Sequence, residues 1–361
     1  MSLSTSFERV SLPLEHDFTI SRGTQTEAEN VVVRISDSEA QSASCSRTQS
    51  GDEGAMTGVG AAAPAAHYGE TAATVEAVLP DLLAVVEEVD DPHALAEVEG
   101  RMRTVVEDNP AARCAVSIAL HDLAAKRLGV PLHRLWGLNA ADAPDTSFTI
   151  GLDDLDAMRE KTQEAVDADY GILKLKLGTD RDRELVEAVR EEAPDATIRV
   201  DANEAWTPRE TVEKSRWLAD LGVEFVEQPV PADEPEGLKF AYERSELPIA
   251  ADESCVTLAD VPRIADRCDV ANLKLMKCGG LLEAKRMIHA ARAHGLEVML
   301  GCMVETNAAI AAGCQLAPLL DYADLDGSLL LAEDPFEGVP VPEGRIDLAG
   351  LTRNGTGAVE R

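Results

Sequence analysis

The chain has 361 residues, of which 45% are hydrophobic and 4% aromatic, and 66 acidic side chains stand against 33 basic ones for a net charge of −33. This leaves room for about two domains with a full-sized core. It excludes a disordered chain, a membrane span, for which no apolar run approaches the ~20 residues needed, and nucleic-acid binding, because so acidic a surface repels phosphate.

The opening stretch MSLSTSFERVSLPLEHDF lacks a basic start followed by an apolar run, so no signal peptide is expected and the location expected is cytoplasmic. Lysine is scarce, with nine residues against 24 arginines. Acidic self-repulsion destabilises in dilute salt and is screened in concentrated salt. The composition therefore suggests a salt-adapted organism, with an ordinary acidic cytosolic enzyme as the alternative. The seven cysteines form no CxxC pair and no zinc-ligand spacing, and are read as reduced core residues.

In chain order, residues 1 to about 60 read as strands and turns, with VVVRI (31–35) the clearest strand. The Ser- and Gly-rich stretch from Ser36 to Gly60 has loop composition. Its 42–58 part is either a lid over a functional site or an outer hairpin. From Tyr68 to Leu138 the periodicity is helical, with Pro80, Pro92 and Pro110 placed near helix starts and Gly129 ending the most apolar helix. The first third is thus α+β.

After about residue 145, eight short apolar runs alternate with charged helical stretches: FTIG, ILKLKLG, IRVDAN, FVEQP, IAADES, NLKLMK, EVMLGCM and ADLDG. Strand–helix alternation of this length reads as an α/β parallel barrel. No GxGxxG follows the first strand, which disfavours an open dinucleotide-binding sheet.

Polar residues interrupt the runs at matched places. Lys176, Asp201, Glu227, Asp252 and Lys274 are spaced by 25, 26, 25 and 22 residues, about one strand–helix unit each. Equivalent positions on successive barrel strands converge at the C-terminal mouth. Three carboxylates there repel unless a cation neutralises them, and an oxygen-only donor set suits Mg²⁺. No histidine sits at these ends, so zinc is not expected. Four of the nine lysines, Lys174, Lys176, Lys274 and Lys277, fall in two strand segments. Lys174 and Lys176 share one strand face. Two ammonium groups that close depress each other's pKa, which suits a lysine acting as a base. Lys277 falls on the opposite face from Lys274 if the strand continues.

KLK, DAN, EQP, DES and NLKLMKCGG, in this order, resemble the enolase superfamily, most closely its muconate-cycloisomerase-like subgroup. The resemblance implies a modified (β/α)7β TIM-like barrel at 139–329. It also implies an N-terminal α+β capping domain at 1–138, completed by the tail 330–361. Residue by residue, it implies Asp201, Glu227 and Asp252 as Mg²⁺ ligands and Lys176 and Lys274 as opposed acid/bases. Lys174 would tune Lys176, with Asn203 and Glu253 in support. The implied chemistry is proton removal from the carbon beside a carboxylate and its return to the opposite face.

Asp324 and Asp326, in the last run, share a strand face by the two-residue period. Paired carboxylates apart from the metal set suit an ammonium group, and a DxD here resembles the dipeptide epimerases, where it holds the free α-amino end; a strand-ending turn at Gly327 is the alternative. Glu305 is expected to line the same pocket. Arg22 is a candidate partner for an acidic side chain, as in the Ala-Glu epimerases, or else a surface arginine. The reading is a Mg²⁺-dependent dipeptide epimerase, with a homo-oligomer suggested by analogy with other capped barrels. Its rivals are an N-acylamino-acid racemase, an o-succinylbenzoate synthase, a muconate-type cycloisomerase and a silent peptide-binding barrel.

Overall fold

The structure is a computed structural model and describes residues 3–38 and 55–361. Its first unit is an antiparallel sheet in the order β1 (Leu3–Ile20), β2 (Gly23–Asp37), β3 (Met56–Ala62). Val31, Val32 and Val33 of β2 are all fully buried, which requires cover on both faces of the strand. Four helices follow: α1 (Ala72–Val89), α2 (Leu95–Val105), α3 (Pro110–Leu128) and the single turn α4 (Leu132–Leu135).

Helix α3 is the pillar of this unit. It opens on Pro110 in its first turn and closes on Gly129 in the left-handed conformation. It lies flush on β3 because β3 carries glycine where they touch. A Cβ on Gly58 would sit 2.1 Å from the Ala119 carbonyl oxygen, and one on Gly60 2.2 Å from that of Ala115. The loop expected from Ser36 to Gly60 is therefore partly strand: Ser36 and Asp37 pair with Thr57 and Met56. Residues 39–54, with most of the 42–58 stretch, lie outside the described residues. Their flanks Asp37 and Met56 are paired six ladder steps, about 20 Å, from Val31 and Ala62 at the other end of the β2–β3 ladder. Pro80, expected near a helix start, lies inside α1 on its exposed face, where water can reach a backbone group freed by the missing N–H.

The second unit is an eight-stranded parallel sheet in sequential order. Its strands are β4 (Phe148–Ile150), β5 (Ile172–Lys176), β6 (Thr197–Asp201), β7 (Val223–Glu227), β8 (Ile249–Ala251), β9 (Val270–Lys274), β10 (Glu297–Gly301) and β11 (Tyr322–Ala323). A bridge between Thr146 and Ala323 joins the last strand to the chain entering the first and closes the barrel. Helices α5 (Leu155–Asp167), α6 (Asp182–Glu192), α7 (Pro208–Asp220), α8 (Pro235–Tyr242), α9 (Val261–Ile264), α10 (Leu275–Cys278), α11 (Leu281–Ala293) and α12 (Asn307–Leu316) come between or after the strands.

Two local expectations change. The last strand ends at Ala323, so Asp324 and Asp326 sit in the loop beyond it rather than on a strand face. The strand carrying Lys274 ends at that residue, and Leu275–Cys278 turns into helix, so Lys277 is not on the far face of a strand.

The tail returns to the first unit. Thr356 donates its backbone N–H to Asp122 Oδ1 on α3, and the other oxygen of Asp122 accepts from Val59 of β3. Leu132 donates to the Gly355 carbonyl. Of the six described cysteines, all free, only Cys302 is less than fully buried. No helix among the described residues is long and apolar enough to cross a membrane.

The glycine contact yields a test. Gly60→Ala forces a methyl group into the α3 backbone and should destabilise the protein by at least about 1–3 kcal/mol in urea unfolding. Gly100→Ala, on the exposed face of α2 with open space around it, should be neutral or stabilising by up to about 1 kcal/mol. Equal effects of the two would contradict this packing.

Candidate active site

The barrel strands deliver their polar ends to one cavity of about 720 Å³ between the mouth and the first unit. Asp201 and Glu227 are the last residues of β6 and β7, and Asp252 follows β8 directly. All three are fully buried, and one oxygen of each lies within 4.8 Å of the others.

Four lysines surround them. Lys176 Nζ is 2.6 Å from Asp201 Oδ2, and Lys274 Nζ is 2.7 Å from Asp252 Oδ2. Lys174 Nζ lies 2.8 Å from Glu227 Oε2 and 2.6 Å from Asp324 Oδ2. Lys277 reaches back from the helical turn to Asp252 Oδ1 at 2.5 Å, and also donates to the Asp252 and Asn272 carbonyls.

Burial would raise the pKa of Asp201 and Asp252. The ammonium groups of Lys176 and Lys174 beside the first, and of Lys274 and Lys277 beside the second, outweigh burial and hold both carboxyls below their ordinary range. Glu227 is not compensated to that degree: burial, and then the Asp201 charge, push it up to about 8. Burial is the largest influence on Lys274 and would lower its pKa, but the Asp252 carboxylate together with the other acidic groups around it outweighs burial and raises it.

Backbone and amide groups fix these carboxylates. Asn203 donates its backbone N–H to Asp201 Oδ1 at 2.8 Å and its amide to Asp201 Oδ2 at 3.1 Å. Asn272 donates to Glu227 Oε1 at 2.8 Å. Gln228 Oε1 accepts from the backbone N–H groups of Asp252 and Ser254. Asn203, Glu204 and Gln228 hold positive φ angles of 43°, 67° and 31°, which non-glycine residues rarely adopt. Such conformations cluster at functional sites.

A buried, oxygen-only triad whose third member is pushed towards neutrality is the donor chemistry of a hard divalent cation. Asp201, Glu227 and Asp252 therefore fit Mg²⁺. A second grouping, His67, Glu204 and Glu253, also brings donor atoms within 4.8 Å of one another. Arg22 occupies it, with Nη2 2.7 Å from Glu253 Oε1 and Nη1 3.1 Å from Glu204 Oε2.

Asp324 and Asp326 both line the cavity but are not equivalent. Asp324 is already paired with Lys174 and accepts from the Ser147 hydroxyl. Asp326 accepts the backbone N–H of Thr149, at 2.6 Å, and the Thr149 side chain, has no lysine of its own among the described residues, and burial, then Asp324, push its carboxyl up to about 7. Glu305 does not line the cavity: it folds back to accept from the Met303 N–H, and burial pushes it up to about 7. The remaining walls include Phe18 and Ile20 of β1, Tyr68, and the β10 loop residues Cys302, Met303 and Val304.

Sequence reasoning missed Gln228, Asn272, Ser147 and the Thr149 amide, and left the role of Lys277 open. Backbone donors carry no sequence signal. Lys277 did carry one, the concentration of scarce lysines in two segments.

Two family models match the chain: "Mandelate racemase / muconate lactonizing enzyme, N-terminal domain" over residues 4–137 and "Enolase C-terminal domain-like" over 157–358. The chain is 38% identical to an L-Ala-D/L-Glu epimerase of Bacteroides thetaiotaomicron over 97% of its own length and 86% of that protein. It is 38% identical to a hydrophobic dipeptide epimerase of Roseobacter litoralis over 81% of its length and 85% of that protein. Its fold is similar to the crystal structure of a dipeptide epimerase from Enterococcus faecalis complexed with Mg and L-Leu-L-Tyr, with a TM-score of 0.89, 30% identity and full coverage of both chains. By its two matching domains, its strand-end carboxylates and its relatives, the chain belongs to the enolase superfamily, in the mandelate racemase/muconate lactonizing enzyme family.

Proposed function

We propose that the protein is a Mg²⁺-dependent dipeptide epimerase that inverts the α-carbon of the second residue. The observation that carries this reading is the placement of Lys176 and Lys274. They end β5 and β9, which are four strands apart in the eight-stranded barrel. Strands four apart in a closed ring of eight face each other across it. The two ammonium groups thus approach a substrate at the mouth from opposite sides.

Asp201, Glu227 and Asp252 would hold the ion. When bound, Mg²⁺ supplies positive charge that stabilises the negative charge developing next to the abstracted proton. One lysine, neutral at that moment, takes the proton from the α-carbon; the other, protonated, returns a proton to the opposite face. Asn203, Asn272, Gln228 and Lys277 hold the carboxylates in place. Asp326 has room to hold the free α-ammonium of the first residue, and Asp324 keeps Lys174 in position beside Glu227. Mg and a dipeptide in the Enterococcus faecalis relative support the same assignment. The acidic composition and reduced thiols suit a cytoplasmic, salt-adapted enzyme.

Deuterium uptake at the second α-carbon, followed by NMR in D₂O with Mg²⁺ and L,L-dipeptides, tests the chemistry. Lys176→Ala and Lys274→Ala should each slow epimerisation by about 10²–10⁴-fold. Asp326→Asn should raise the KM for dipeptides about 10–100-fold, while an N-acylated amino acid, which has no ammonium, is spared. Equal loss on both substrates would favour the acylamino-acid reading.

Metal-free protein should lose stability as pH rises from about 5 towards 8. Over this range Glu227 is ionised in the unfolded chain but stays protonated in the fold, where it is pushed up to about 8. The unfolded state binds fewer protons there, so the slope is negative. Saturating Mg²⁺ should flatten the slope by the share that Glu227 contributes, leaving the share of carboxyls such as Asp326 and Glu305 that are pushed up to about 7, and should add about 2.7 kcal/mol at a hundred times its Kd. Urea unfolding at several pH values with and without Mg²⁺ reads both; an unchanged slope would mean that Glu227 is not a ligand.

Salt adaptation predicts a melting temperature that climbs steeply between about 0.1 and 1 M KCl, the range over which the Debye length shrinks from about 10 to 3 Å. A flat profile would leave the acidic surface without that explanation.

A further inference from the structure

We infer that the subsite for the second residue's side chain takes an uncharged, chiefly apolar side chain and rejects an acidic one, because Arg22 latches the roof of the cavity instead of reading the substrate. This inference rests on the dipeptide reading.

An acidic side chain needs an available cation. Among the described residues, the lysine and arginine side chains lining the cavity are Lys174, Lys176, Lys274 and Arg22. Each has a carboxylate oxygen within 2.7 Å. The three lysines stand at the metal triad, where the proposed reaction uses them, and His67, which also lines the cavity, faces Glu204 at 3.4 Å, so Arg22 is the one lysine or arginine left to bind an acidic side chain. Three of its five N–H donors are already given to the barrel. Nη2 pairs with Glu253, and Nη1 with Glu204 and the Asn203 carbonyl oxygen, at 2.7, 3.1 and 3.1 Å. The Glu253 side chain is 2% exposed. Drawing Arg22 away would leave that buried carboxylate unpaired, and a third carboxylate brought to Arg22 would meet the two already there.

The surroundings explain what this pairing does. Arg22 sits at the tip of the β1–β2 hairpin, between Ile20 and Gly23. The same tip is tied to the barrel by the Ser21 hydroxyl, which donates to the Asn203 carbonyl at 3.1 Å, and by the Leu152 N–H, which donates to Thr19. Asn203 and Glu204, the two consecutive residues with positive φ, are those that meet Arg22. The strained β6 loop therefore presents a carbonyl and a carboxylate to one guanidinium, and the hairpin tip is held over the mouth. Next to this latch, Phe18, Ile20, Val304 and Leu330 give the cavity apolar wall, and apolar wall rewards apolar side chains.

The test compares kcat/KM for L-Ala-L-Leu, L-Ala-L-Met, L-Ala-L-Gln and L-Ala-L-Glu, read by deuterium uptake with Mg²⁺ at fixed salt. Gln and Glu differ by charge at nearly equal size, so their ratio isolates electrostatic rejection. The expected result is L-Ala-L-Gln ahead of L-Ala-L-Glu by at least about tenfold, with Leu and Met ahead of both. Glu204→Gln, which removes one of the two carboxylates on Arg22, should narrow the Gln-to-Glu gap. L-Ala-L-Glu turned over as well as L-Ala-L-Gln, or better, overturns the inference and leaves the epimerase reading standing. Exchange with none of the dipeptides, while the protein is folded, overturns the epimerase reading and this inference with it.

Discussion

Three carboxylates buried side by side at the barrel mouth are the constraint on which the rest depends. Desolvation and mutual repulsion both work against their ionisation. The fold answers with lysines placed as individually as the acids. Lys176 faces Asp201, Lys274 and Lys277 share Asp252, and Lys174 bridges Glu227 to Asp324. Electroneutrality is reached through a network, so each member limits the others. Glu227 keeps the least compensation, which leaves the centre of the mouth the natural seat for a divalent cation.

The same network connects recognition to chemistry. Asp324 touches Lys174, Lys174 touches Glu227 of the carboxylate triad, and Asp326 stands two residues along on the same loop. A substrate ammonium at Asp326 would thus be positioned from the element that orders the lysine pair on β5. Closing the barrel between Thr146 and Ala323 makes this possible, since it brings Ser147, just before the first strand, and Thr149 within it to the two aspartates in the loop beyond the last.

Much of this was legible in the sequence because barrel geometry turns chain spacing into spatial convergence. Intervals of 22 to 26 residues between Lys176, Asp201, Glu227, Asp252 and Lys274 equal one strand–helix unit, so the five meet at one mouth. Lys277 was expected on the opposite face only if the strand continued; the strand ends at Lys274 and a helical turn carries Lys277 back to Asp252 instead. The face-sharing argument for Asp324 and Asp326 broke in the same way, although both still reach the cavity through loop geometry. Glu305 was expected at the cavity wall; a backbone N–H two residues earlier captures it instead. Arg22 was the hardest to read: its partners Glu204 and Glu253 are 182 and 231 residues away, and no local pattern announces such pairs.

The Asp122 clamp has a consequence for the order of folding. One carboxylate in the core of the first unit holds Val59 with one oxygen and Thr356 with the other. The second partner is 234 residues further along the chain. During synthesis at about 5–20 residues per second, α3 and its sheet leave the ribosome many seconds before Thr356 is made. Through that interval Asp122 can hold Val59 and its helix neighbour Lys126, while the oxygen that will take Thr356 still faces water.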